Sequence, residues 1–251
     1  MLLESAAPLA FTRVGSGEPL VLIHALGADR RMWDPVLERL GAERDVIAFD
    51  LPGFGGSRPV APARPVDLAA SVAASVAALG LSRPVVAGVS LGGWVALELA
   101  LAGDASAVTA IAPAGLWPAP LQPRRSRARR VARALSPVLP LVLRTARGRR
   151  LALSSNVGHP DRVPYSDALR LVRTYARSPG FDAVNAAMRA SRFAQLAEVT
   201  VPVVLAWPDL DRIVSRPRAL PGNVRNVVLR GCGHMPTWDD PAAVAALLLG
   251  R

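Results

Sequence analysis

The sequence predicts an α/β protein, a mostly parallel sheet with helices on both faces, interrupted by one long helical insertion. Three observations carry this reading. Short, near-continuous runs of Val, Ile, Leu and Ala recur along the chain, as strands covered on both faces require. Alanine- and leucine-rich stretches of helical length separate them. From about residue 116 to residue 193 that rhythm stops and prolines punctuate the chain.

Taken in order, Pro8 to Arg13 and Leu20 to His24 read as the first strands, and Met32 to Leu40 as a helix. Val46 to Asp50 is a strand, Asp67 to Leu79 an alanine-rich helix, and Val85 to Val89 the next strand. A helix carrying Trp94-Val95-Ala96-Leu97-Glu98-Leu99-Ala100 follows at once, and Ala107 to Ala112 is a further strand. Beyond the insertion, Val201 to Trp207 and Asn226 to Leu229 complete the sheet. The 251 residues suffice for one domain with a substantial core. The stretch 116–193 is too long for a structureless loop in such a domain. The expected division is therefore a core of residues 1–115 and 194–251 with a helical lid at 116–193.

Between strand and helix lies Gly88-Val89-Ser90-Leu91-Gly92-Gly93, with no residues to spare. A turn this sharp needs nearly absent side chains beside a serine held in a strained backbone conformation. Gly88 and Gly92 supply that space. The hydroxyl is then lifted clear of the sheet at a helix N-terminus, where free N–H groups and the helix dipole favour negative charge. This is the G-x-S-x-G pattern in the context that makes it a nucleophile elbow, and it predicts serine hydrolase chemistry.

A nucleophilic serine needs a base, and the chain has three histidines, His24, His159 and His234. His24 ends an early strand, and His159 lies in the Pro- and Arg-rich middle region. His234 sits in the tight loop Gly231-Cys232-Gly233-His234-Met235-Pro236, placed to present one imidazole at the end of a sheet. The third member must be a carboxylate that fixes the imidazole tautomer. Asp209 and Asp211 both follow the strand ending at Trp207. Alternate positions on an extended segment point the same way, so periodicity does not choose between them.

At these residues the chain resembles the α/β-hydrolase superfamily, over most of its length. The order Ser90, Asp, His234 is that family's order. Asp50-Leu51-Pro52-Gly53-Phe54-Gly55-Gly56-Ser57 resembles the glycine-rich loop after the family's fourth strand, and His24-Ala25-Leu26-Gly27 its oxyanion loop. Trp207-Pro208-Asp209-Leu210-Asp211-Arg212-Ile213-Val214 is similar to its acid-bearing turn, and that alignment selects Asp211. Ala25 stands where the family's oxyanion loop carries glycine, a departure that would narrow the approach to the oxyanion donors. Pro208 also stands where the family carries glycine, which would alter the path of the turn, so Asp209 remains the alternative acid.

The resemblance implies a carboxylic ester hydrolase working through an acyl-enzyme on Ser90, His234 and Asp211. The oxyanion would be held by the backbone N–H of Leu91 and, by the resemblance, that of Leu26. A serine at this position excludes the epoxide-hydrolase and haloalkane-dehalogenase chemistries of the scaffold, which use aspartate there. Three other readings share the fold: a carbon–carbon bond hydrolase of ring-cleavage products, a cofactor-free haloperoxidase or acyltransferase, and a non-catalytic ligand receptor.

Composition narrows the setting. No metal-ligand spacing, phosphate loop or dinucleotide fingerprint is present, so no metal or cofactor is expected. No apolar stretch approaches the ~20 residues of a membrane span. The start, with Glu4 in a short apolar run, lacks a basic leader. The single cysteine, Cys232, leaves no internal disulfide to form and reads as a small buried packing residue. Together these predict a cytoplasmic protein.

All 30 basic residues are arginine, and residues 116–193 carry a net charge of +13 against +11 for the whole chain. The rest therefore sums to −2. Arginine without lysine fits a GC-rich coding sequence and an ordinary solvated face. The competing reading is attraction of an anionic small-molecule acyl substrate. Arg124-Arg125-Ser126-Arg127-Ala128-Arg129-Arg130, beside Val131, Leu135, Val138, Leu139, Leu141 and Val142, also resembles a basic amphipathic segment for lipid headgroups. Pro137 and Pro140 would break that helix, which makes membrane contact the weaker reading. Nucleic acid is not an expected partner, because at 5% aromatic residues the stacking platforms are scarce.

Overall fold

The computed structural model describes residues 8–122 and 126–251; Glu4, Arg124 and Arg125 lie outside them. Seven strands form one sheet: β1 (Phe11–Val14), β2 (Pro19–Ile23), β3 (Asp45–Phe49), β4 (Val85–Val89), β5 (Ala107–Ile111), β6 (Val203–Pro208) and β7 (Val224–Leu229). Their order is β1-β3-β2-β4-β5-β6-β7. The edge strand β1 runs antiparallel to β3, and every other pair is parallel.

Strand ends differ from the sequence expectation where local chemistry intervenes. β6 starts at Val203 rather than Val201, because Pro202 has no N–H for the ladder. β7 begins two residues early, at Val224. It is the other edge strand, and its exposed Arg225 and Asn226 hide it from a search for apolar runs. The helix expected from Met32 divides into a 3-10 turn, Arg30–Trp33, and α1 (Asp34–Gly41), whose first turn holds Pro35.

Along β2, Val21 and Ile23 face one core layer and Leu20 and Leu22 the other, as alternation demands. The first layer is filled by α2 (Pro65–Ala78) and α3 (Leu91–Leu101). Between β5 and β6 the chain inserts α4 (Arg127–Ala134), α5 (Leu139–Val142), α6 (Ala146–Leu153), α7 (Tyr165–Arg177) and α8 (Phe181–Arg189). Of these, α8 joins the first layer through Phe181, Val184 and Met188. The second layer is closed by α1 and α9 (Pro241–Leu248) through Val36, Leu40, Val244 and Leu248. Pro140 and Pro160 open helical turns of the insert and Pro164 caps α7, which is where a missing N–H is harmless.

A buried carboxylate fixes the insert to the core. Asp239 accepts the N–H groups of Gly158 (2.8 Å) and His159 (2.7 Å) from the insert, and that of Gly233 (2.8 Å) beside His234. Met235 donates its N–H to the Asn156 carbonyl at 2.7 Å, so the loop of His234 and the segment 156–159 lie against each other. A Cβ on Gly233 would fall 2.4 Å from the Gly158 nitrogen, so only glycine permits this approach. The neighbouring Asp240 does a different task, capping α9 through the Ala243 N–H.

Asp239→Ala orphans three backbone donors at ~1–3 kcal/mol each. Stability in urea titration is expected to fall by at least about 3 kcal/mol, with Asp239→Asn losing less because its amide oxygen still accepts. Cys232 is fully buried in the second layer. Burial, reinforced by the negative charges of Asp239, Asp240 and Asp209, pushes its thiol up to about 12. Native protein is therefore expected to resist alkylation at neutral pH and to react at Cys232 only once unfolded, read by mass spectrometry.

Candidate active site

Ser90 links β4 to α3 with φ 57° and ψ −115°, a strained conformation for a residue with a side chain. Its surroundings over-determine it. The Ser90 N–H donates to the Ile111 carbonyl at the end of β5 (2.9 Å), and its own carbonyl accepts from Trp94 (3.1 Å) and Ala114 (3.0 Å). A Cβ on Gly88 would lie 2.2 Å from the Gly92 carbonyl oxygen, and one on Gly92 would lie 2.2 Å from that of Ile23. Either would push α3 off the sheet. The two glycines of the sequence pattern are thus steric requirements of the turn.

His234, in the loop after β7, is 4% exposed, and its Nδ1 lies 2.8 Å from Asp211 Oδ2. The other Asp211 oxygen accepts the N–H groups of Ile213 (2.7 Å) and Val214 (3.1 Å). Burial alone would raise the Asp211 carboxyl, but the His234 hydrogen bond and charge, with these two N–H groups, outweigh it and hold it below the usual carboxylate range. An ionised acceptor at Nδ1 keeps the proton there and leaves Nε2 available as a base. Asp209 points elsewhere: it is exposed and accepts the Gly231 N–H at 2.7 Å. The structure brings Asp211, and not Asp209, to the histidine.

The other histidines are engaged differently. Fully buried His24 places Nδ1 2.8 Å from the Ala25 carbonyl and accepts the Leu51 N–H on Nε2 at 2.9 Å. Burial lowers its pKa, so the ring stays neutral with both nitrogens occupied, tying the loop after β2 to the loop after β3. His159, in the insert, is held by its backbone N–H on Asp239.

Leu26 lies in the loop after β2, closed by the Ala28 N–H on the Ala25 carbonyl (3.0 Å), and Leu91 opens α3. Among the described residues, neither the Leu26 nor the Leu91 N–H donates a turn or loop hydrogen bond to backbone. Gly27 (φ 79°) passes beneath the insert, where a Cβ would sit 2.7 Å from the Tyr175 ring and 3.1 Å from that of Phe181. Ser90 itself is 7% exposed.

Two carboxylates that shape these loops carry no distinguishing sequence signal of this role. Buried Asp50, which opens the glycine-rich loop, accepts the N–H groups of Arg30 and Gly56, both at 2.7 Å, and pairs with the Arg30 guanidinium. Asp29, beyond Gly27, accepts from Arg170 (2.8 Å) and Thr174 (3.0 Å) of α7, fastening the insert over the Leu26 loop. Among the described residues, no group of three or more His, Cys, Asp or Glu is placed to hold a metal ion.

Known proteins resemble the chain in sequence and in fold. Residues 20–247 match the model of the Alpha/beta hydrolase family. A pimeloyl-[acyl-carrier protein] methyl ester esterase of Pseudoalteromonas atlantica is 41% identical over 88 residues, 35% of this chain and only 33% of that relative. The epoxide hydrolase EphH of Mycobacterium tuberculosis is 30% identical over 185 residues, 68% of this chain and 86% of its own length. Among solved structures, a thermophilic esterase from Thermogutta terrifontis superposes with a TM-score of 0.67 at 21% identity, covering 96% of this chain and 92% of that one. The chain belongs to the alpha/beta hydrolase family.

Proposed function

We propose that the protein is a serine hydrolase of carboxylic esters, with Ser90 as nucleophile, His234 as base and Asp211 as the acid that orients it. The observation that carries this reading is the 2.8 Å contact from Asp211 to His234 Nδ1, in a fold that raises Ser90 on a strained strand-to-helix turn. The methyl ester esterase relative supports the ester class. Residues 116–193 act in this reading as a cap over the site.

His234 Nε2 takes the Ser90 proton as Oγ bonds to the ester carbonyl carbon. The oxygen, now negative, is held by the N–H groups of Leu91 and Leu26, a contribution of about 2.7–4 kcal/mol per donor in related chemistry. His234 then protonates the leaving alcohol, leaving Ser90 acylated. Water, deprotonated by His234, attacks the acyl carbon and frees the carboxylic acid and Ser90. Asp211 keeps its charge throughout and stabilises the imidazolium formed in each half.

The EphH likeness does not favour epoxide opening here, because Ser90 stands where epoxide-opening members carry aspartate. Carbon–carbon bond cleavage, haloperoxidase or acyltransferase activity and ligand reception use the same scaffold. Turnover of short p-nitrophenyl esters separates the receptor reading from the catalytic ones.

Ser90→Ala and His234→Ala are each expected to remove nearly all ester turnover, with the double variant hardly worse, because the members act as one unit. Full labelling of Ser90→Ala by a fluorophosphonate probe would sink the assignment. Asp211→Asn is expected to lower kcat by up to ~10⁴-fold through the wrong histidine tautomer. Asp209→Asn should change it little in the same steady-state assay, and a reversal of the two would transfer the acid role to Asp209.

A further inference from the structure

We propose that the outer face of α4, α5 and α6 docks on the surface of an anionic lipid bilayer. The inference stands whether or not Ser90 turns over an ester. Its basis is a surface at once apolar and cationic, on which Arg127, Arg130 and Arg147 have no acid in ion-pair reach among the described residues, although Arg150 of α6 lies 3.9 Å from Asp161.

The apolar component is continuous. Val131, Leu135, Val138 and Val142 are exposed and follow one another at helical spacing. Backbone hydrogen bonds from Leu135 to Val131, Val138 to Leu135 and Val142 to Val138 (2.9–3.1 Å) keep them on one stripe. Pro137 lies between α4 and α5 and Pro140 in the first turn of α5, but the chain goes on turning in the same sense. Leu141 is 70% exposed on the same turns and Leu151 of α6 is 85% exposed. α6 abuts α5, because a Cβ on Gly148 would fall 1.8 Å from the Val142 carbonyl oxygen. The insert's packing does not need these side chains, since Leu139, Leu143 and Leu153 already fill its inner side.

The cationic component lies among them. No Asp or Glu occurs between Asp104 and Asp161. Arg127, Arg130 and Arg147 are exposed, with no carboxylate in ion-pair reach among the described residues, whereas Arg129 is buried and paired with Asp182. A bilayer carrying anionic lipid meets both needs at once. Its phosphates accept the forked guanidinium donors, and the boundary beneath them takes aliphatic side chains. Residues 126–158 contain no Phe, Tyr or Trp, so stacking on nucleic acid has no platform there.

The test is sedimentation of the 251-residue chain with vesicles of phosphatidylcholine alone and of an equal mixture with phosphatidylglycerol. Binding is expected to the mixed vesicles only, weakening as salt shortens the Debye length from ~10 Å at 0.1 M to ~3 Å at 1 M. Arg127→Gln, Arg130→Gln and Arg147→Gln combined should weaken it on the order of 100-fold, about five-fold per arginine. Leu141→Gln with Leu151→Gln should also weaken it, by roughly tenfold per leucine buried. Both variants should keep wild-type circular dichroism and wild-type turnover of a water-soluble short ester. Absence of binding to the mixed vesicles overturns the proposal, as does equal binding to neutral ones. Leucine variants that bind like wild type overturn it too, reducing the face to solvated charge. So does an acidic protein that displaces the chain from the vesicles by occupying the same arginines and leucines.

Discussion

The close approach of α3 to the sheet is the constraint from which the site follows. With Gly88 backed against Gly92, and Gly92 against the Ile23 carbonyl, the first turn of α3 rests on the ends of β4 and β2. The sheet register then aligns the neighbouring strand ends, pairing Ile23 with Gly88, Val89 with Ile111 and Ile111 with Ala206. The loops leaving β2, β4 and β6 therefore emerge at one level, and those after β5 and β7 border them. Catalytic loops in open α/β sheets converge for this reason: parallel strands end on the same side. The strain at Ser90 is sustained because the Ile111 carbonyl and the N–H groups of Trp94 and Ala114 hold the peptide on both sides.

Loops at strand ends have left the ladder and must find other partners for their N–H groups. In this protein buried or half-buried aspartates do much of that task. Asp50 organises the glycine-rich loop, Asp29 joins the Leu26 loop to α7, Asp239 joins the His234 loop to the segment before His159, and Asp211 closes the turn after β6. Each carboxylate accepts backbone N–H groups and also reaches across to a second segment. The site and the insert's attachment are thus made by one device repeated, and Asp211 differs in that its second reach is to an imidazole.

The sheet was legible in the sequence because strands buried on both faces are apolar without alternation, and Ser90 because its glycines are sterically obligatory. Legibility failed where backbone geometry departs from a regular element. Asp209 and Asp211 could not be separated by the period of an extended strand because the chain is no longer extended there. The Asp209 N–H still pairs with the Leu229 carbonyl, while the Asp211 N–H already turns back to Pro208. One carboxylate is thereby left facing the β7 turn and the other His234. Asp239 was hidden differently: nothing local sets it apart from Asp240, which caps α9, and only long-range contact with Gly158 and His159 distinguishes the two. Edge strand β7 was foreshortened for the ordinary reason that one of its faces is wet.

The arginines divide along the same line between structure and surface. Arg129 lies over the Phe181 ring at 4.8 Å and reaches the Ser178 and Tyr175 carbonyls, and Arg170 bridges to Asp29. These are internal fastenings of the insert, and planar, multiply donating guanidinium serves them better than an ammonium would. A GC-rich coding sequence would account for arginine where lysine would do. It does not account for the missing acids, since aspartate and glutamate occur freely on either side of 105–160. Nor does it account for leucines turned outward beside Arg127, Arg130 and Arg147, which have no ion-pair partner among the described residues, when the same turns already bury Leu139 and Leu143. A codon bias would set only which cation is used; the segregation of charge and of apolar side chains onto one face is a property of the folded insert.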